Sequence, residues 1–173
     1  MGAQLRVYRR RIRSVKATKK ITKAMELISA SRIVKAQQRV NASSPYAKEL
    51  TAAISAVATY SNTAHPLTTA AANPKKAGIL VITADRGMAG AYSTAAIKEG
   101  DLLAAELRSR GLSTEMYLVG RKAVSYYKFR NRDIAGSWVG FSDNPTFEKA
   151  KEVSATLIDA FVNENGLDEL HVI

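Results

Sequence analysis

The sequence predicts an α/β protein: a long N-terminal helix of coiled-coil type, followed by a Rossmann-like, mainly parallel α/β domain. Three observations carry this. Residues 3–41 contain neither Pro nor Gly and are rich in helix formers. From residue 77 short apolar runs alternate with amphipathic stretches, the order that builds a parallel sheet with helices on its faces. The charge is divided the same way. The net charge is +11, and residues 1–40 hold twelve Lys or Arg against the single acid Glu26, so the remaining chain is neutral overall.

The N-terminal helix needs a companion. Leu5, Tyr8, Ile12 and Val15 follow the 3-4-3 spacing of a coiled-coil seam. Lys19 and Thr22 occupy the next two places in that register, and a second stripe takes over through Ile21, Ala24, Met25 and Ile28. Asn41 to Pro45 predicts a kink or break near residue 45, because proline disfavours helical angles before it. A further amphipathic stretch carries Leu50, Ala53, Ile54 and Val57 on one face. The helical shaft is expected over residues 1–61 and a Thr- and Ala-rich linker over 62–76. The α/β domain is expected over 77–173, cut short at its C-terminal end.

Within that domain residues 78–84 (GILVITA) suit a buried parallel strand. Residues 94–110 read as a helix capped by Ser93 and stopped by Gly111. Residues 114–119 predict a strand, 121–129 a short helix and 134–139 a weaker strand. A helix opens at Asp143-Asn144-Pro145, buries Phe147, Ala150, Val153, Leu157, Ile158 and Phe161, and ends at Asn165-Gly166. Residues 169–173 begin another strand.

Several function classes find little support. There is no cysteine, so disulfides and thiolate chemistry are excluded. No apolar run approaches the roughly 18 residues of a membrane span. His65 and His171 stand in no metal-ligand or triad spacing. Asp168-Glu169 reads as a solvated turn, and Tyr126-Tyr127 among Lys122, Lys128, Arg130 and Arg132 as a half-buried helix with a solvated edge. The strand ending in Asp85, followed by Gly87 and Gly90, sits where nucleotide-binding folds place a phosphate loop. It lacks the G-x-G-x-x-G spacing, and no P-loop lysine exists. Asp85 is therefore expected to cap nearby N–H groups and to pair with Arg86 or another base. The basic helix calls for an acidic counterpart, and charge alone leaves nucleic acid, anionic lipid or an acidic protein surface open.

Residues 12–32 read IRSVKATKKITKAMELISASR, and Asp85-Arg86-Gly87-Met88-Ala89-Gly90-Ala91 follows the first sheet strand. In these two motifs the sequence resembles the gamma subunit family of F-type ATP synthase. The first matches at Ile12, Ser14, Val15, Thr18, Lys20, Ile21, Thr22, Lys23, Ala24, Met25, Ser31 and Arg32. Ser93 and Ala89 stand where many members carry Asn and some carry Cys. The start Met1-Gly2-Ala3, without a presequence, looks bacterial.

The resemblance implies a central-stalk rotor that couples proton-driven ring rotation to ATP synthesis without itself being catalytic. Its implied partners are the alpha and beta subunits of the hexamer, the epsilon subunit and the c-subunit ring. No cofactor, nucleic acid or inserted lipid is implied. The place is peripheral to the membrane, on the cytoplasmic face of a bacterial cell. By resemblance Lys20, Lys23 and Met25 meet an acidic loop of beta. Leu5, Tyr8, Ile12, Val15, Ile21 and Ile28 form the seam with a C-terminal helix that has no counterpart in this sequence. Asp85, Arg86, Gly87, Met88 and Gly90 offer a second contact loop. The alternative class is a nucleic-acid-binding protein gripping through the basic helix.

Overall fold

The computed structural model describes residues 2–60, 65, 67, 69–163 and 166–173. The chain divides into two compact units, residues 1–63 and 64–173. Within the first, a single helix, α1, runs over Gly2–Tyr60. Its 59 residues imply a rod about 90 Å long. Small hydroxyl residues stay helical by bonding back to the preceding turn. Thr18 donates to the Ser14 carbonyl at 3.1 Å and Thr22 to the Thr18 carbonyl at 3.0 Å.

Of the kink or break expected at Pro45, the break does not occur, because α1 continues through it. Proline cannot donate to the carbonyl one turn back. Just before it, the Ser43 hydroxyl donates to the carbonyls of Arg39 and Val40 at 3.1 and 3.3 Å. Helical bonds on both sides outweigh the single donor that is missing. Of the expected linker, residues 61–64, 66 and 68 lie outside the described residues. Its last residue, Lys76, already belongs to the sheet.

The second unit alternates strand and helix. Its elements are β1 (Lys76–Ile82), α2 (Tyr92–Ser109), β2 (Ser113–Val119), α3 (Arg121–Phe129), β3 (Gly136–Trp138), α4 (Phe147–Val162) and β4 (Glu169–Val172). The strands form one sheet in the order β3-β2-β1-β4, with all three pairings parallel. Side-chain alternation divides the strands between two cores. Ala77, Ile79, Val81, Met116 and Leu118 pack with Ile97, Ala104 and Leu107 of α2 and with Ala123, Val124 and Tyr127 of α3. Leu80, Tyr117 and Val119 pack on the opposite face with Val153 and Leu157 of α4. Three layers result, with α2 and α3 on one side and α4 on the other.

The chain moves outward from β1 to β3, then returns through α4 to β4 on the other side of β1. The carboxyl end of β1 therefore lies at the switch point of the sheet. Two local expectations change. Helix α2 starts at Tyr92 with Ala91 as its uncapped N-cap, and the Ser93 hydroxyl instead accepts from the Ala84 N–H at 3.3 Å. Helix α4 starts later than expected, capped by the Thr146 hydroxyl on the Lys149 N–H. Phe147, expected in the core, is 78% exposed, and Ile158 is also exposed. Phe147 and Ile158 lie about 100–120° around the helix from the midline of the buried Val153 and Leu157.

Candidate partner-contacting site

Helix α1 presents its apolar residues to solvent. Leu5, Tyr8, Ile12, Val15, Ile21 and Ile28 are each more than half exposed. At 3.6 residues per turn the first four cover a face about 80° wide, and Ile21 lies about 120° away from Val15 around the axis. The stripe therefore jumps, and Lys19, Thr22, Lys23 and Glu26 continue the first face in polar form. Lys20 and Lys23 stand one turn apart, about 60° around the axis, and share a face. Met25 lies about 160° from Lys23, beside Ile21 and Ile28. The helix thus brings the two lysines together and sets the methionine on the opposite side. Met25 is 41% exposed, less than any of those six. Lys23 reaches Glu26 at 3.1 Å in an exposed pair, of a kind that contributes only about 0–1 kcal/mol. Lys20 makes no ion pair among the described residues.

The second candidate is the turn after β1. Asp85 is half-buried, and its carboxylate accepts from the Arg121 N–H at 2.9 Å and the Ser142 N–H at 2.9 Å. The Asp85 N–H donates to the Ser142 hydroxyl at 2.8 Å. Burial alone would raise this carboxyl. The bonds from the Gly140 and Ser142 backbone, the Ser142 hydroxyl and the Arg121 backbone outweigh it and bring the pKa down to about 2. Arg86 pairs with Asp143 at 2.7 Å and not with Asp85, whose oxygens point toward backbone donors. Beyond it Met88 and Gly90 take left-handed angles, φ 64° and 59°. The Met88 side chain is 84% exposed. Gly87 lies beside the Lys122 ammonium.

A family model described as ATP synthase matches residues 4–173. The whole chain is 57% identical to the ATP synthase gamma chain of Acidothermus cellulolyticus and covers 59% of that protein. It is 54% identical to the gamma chains of a Nocardioides species and of Streptomyces coelicolor, again over its whole length and 58% of theirs. This chain belongs to the ATP synthase gamma-chain family. It spans a little under three fifths of the length of these relatives. Nothing in these comparisons supports the nucleic-acid alternative drawn from charge alone.

Several polar groups in the α/β unit of this gamma-family chain are spent on one another. Tyr127 is buried, and its hydroxyl donates to Asp101 at 2.8 Å. Arg132 bonds the same Asp101 oxygen at 2.7 Å and lies 4.7 Å from the Tyr127 ring centre. Arg130 lies 5.0 Å from the Tyr126 ring centre. Each of these rings thus has one of the chain's own guanidinium groups over it. Asp168 and Glu169 are not a merely solvated pair. Asp168 accepts from the Lys75 and Lys76 N–H groups at 2.7 and 2.9 Å, and Glu169 binds Arg110 at 2.6 Å and His171 at 3.0 Å.

Two further residues escaped the sequence reading. Thr83 is buried, donates to the Val119 carbonyl at 2.9 Å and accepts from the Ala123 N–H at 3.1 Å, locking β1 to β2 and α3. Ser142 completes the Asp85 clasp from 57 positions away. A Thr closing a strictly apolar run was a usable signal for the first, and no local pattern marks the second. Among the described residues no helix is long and apolar enough to cross a membrane, and no cluster of metal-binding side chains occurs.

Proposed function

We propose that this chain forms the shaft and foot of a central-stalk rotor, which couples ring rotation to ATP synthesis in an alpha–beta hexamer without holding a catalytic group of its own. The carrying observation is the match of the whole chain to gamma chains at 57% and 54% identity. The helix α1, with its apolar stripes in solvent and twelve basic residues within its first 40, fits a shaft that a second helix and an acidic sleeve would enclose. The partners are the alpha and beta subunits, the epsilon subunit and the c-subunit ring, with the assembly peripheral to the cytoplasmic face of the membrane.

In this scheme Lys20 and Lys23 are the charge contacts to an acidic loop of beta, and Met25 is a packing contact on the far side of the same turns. Lys23 would exchange Glu26 for a partner carboxylate, an exchange that costs little between exposed groups. Torque then depends on shape and many small contacts. Residues 85–90 form a second contact with beta or with the foot partners.

The test is co-purification of this chain, extended to the length of its relatives, with alpha and beta subunits. A stable complex whose ATP hydrolysis depends on the chain is the expected result. No association, together with salt-sensitive binding of DNA or RNA, would reverse the assignment.

A further inference from the structure

The strands of the α/β unit are covered unequally on their two faces. Toward α2 and α3, Ile79 and Val81 of β1 are fully buried, and Ile173 packs against the same core. Toward α4, Leu80 is buried, but Ile82 and Val172 are 40% and 63% exposed. With Ala150, Ser154 and Ile158, spaced four apart along one flank of α4, these residues line a groove of about 410 Å³ that carries no charged side chain. Two helices cover one face of the four strands, and α4 alone covers the other. Strands of a parallel sheet are ordinarily buried on both faces, and the carboxyl ends of β1 and β4 are not. β4 is moreover an edge strand of the sheet, and an open edge invites a covering segment.

The groove opens where β4 ends. Val172 lines it. The next residue, Ile173, still follows β1, donating to the Leu80 carbonyl at 2.9 Å and accepting from the Ile82 N–H at 2.8 Å. Gamma chains are longer than this one, which spans 59% and 58% of two of them. We propose that in the complete subunit the chain that follows Ile173 lays apolar side chains into this groove and finishes the α4 face of the sheet. A segment tethered at Ile173 starts beside the groove and closes only a short loop to reach it. A second copy or a separate subunit would instead give up translational and rotational freedom. A lining free of charge suits such a permanent cover. The inference rests on family membership and not on the partner contacts, so its failure leaves the rotor reading untouched.

This chain has no cysteine, so one introduced thiol reports on the groove. Ser154→Cys is made in the 173-residue chain and in the complete subunit, with any cysteine of the added stretch replaced by serine, and both are treated with iodoacetamide. Alkylation is expected to be about tenfold slower in the complete subunit, because it has to wait for the cover to open. Ser125→Cys in α3, exposed on the opposite side of the sheet, is expected to react at one rate in both. Val172→Asp in the complete subunit should restore fast alkylation at position 154, because a charge beneath an apolar cover displaces it. Equal rates at position 154 in the two lengths would overturn the proposal. Protection that grows with protein concentration would assign the groove to a second copy, and protection that waits for added alpha, beta or epsilon subunits would assign it to one of them. Either result overturns the proposal. If Ser154→Cys does not fold, Ala150→Cys reads the same groove.

Discussion

Asp85 shows how much one side chain can do without chemistry. A carboxylate held at about pKa 2 by N–H donors stabilises the folded state above the unfolded value near 4, and that contribution disappears as pH falls through about 2. Asp85→Asn should therefore lower the urea midpoint of the chain at pH 6, and the gap to the parent should close between about pH 4 and pH 2. A gap of constant size across that range would assign the loss to shape and not to charge. Gly120 is the second decisive residue. Its φ is 94°, and a Cβ there would run into the Thr83 carbonyl at the crossing from β2 to α3. Gly120→Ala should cost about 3 kcal/mol or more, since strain and clash coincide. Chemical denaturation would read this directly, and a loss below about 1 kcal/mol would mean that the turn relaxes.

At the scale of elements, α1 and the α/β unit answer to different forces. The α/β unit buries its strands between helices on both faces and supplies its own partners. Helix α1 buries almost none of its side chains by itself, and helices in proteins derive most of their stability from packing an apolar face. Ile12→Asp should consequently leave the unfolding midpoint of the α/β unit unchanged, yet weaken pairing of α1 with a second helix in the extended chain. Parallel thermal melts followed at the Trp138 fluorescence and by helical circular dichroism would separate the two effects. A shift at Trp138 equal to the helical one would show that the two units unfold together.

For the whole molecule the proposed rotor role falls to a basic rod and a neutral domain. All of the net charge of +11 resides in the first 40 residues, so electrostatics concern the shaft, and the α/β unit has to be held by shape and specific pairs. Met25→Lys would place a third cation on the turns that already carry Lys20 and Lys23, on the opposite side of the helix. There it would set a charge among the apolar Ile21 and Ile28, disturb the packing of that face and lower ATP-driven proton pumping relative to ATP hydrolysis. Unchanged pumping in that variant would count against the contact.

Much of this was legible along the chain, because helix periodicity, basic clustering and apolar strand runs are properties of near neighbours. The absence of Pro and Gly in residues 3–41 foretells the rod, the GILVITA run foretells β1, and two motifs carry the family. What reading the chain could not supply depends on groups far apart in it. Pro45 looked like a kink or a break, and helical bonding on both sides carries α1 through it without a break. Arg86 found Asp143 in place of its neighbour Asp85, and Glu169 found Arg110. Phe147 has the periodicity of a core residue and ends in solvent. Local pattern determines which residues can be buried or charged; only the packed sheet, with β1 set between β2 and β4, decides which of them meet, because each polar group takes the partner that three-dimensional proximity offers.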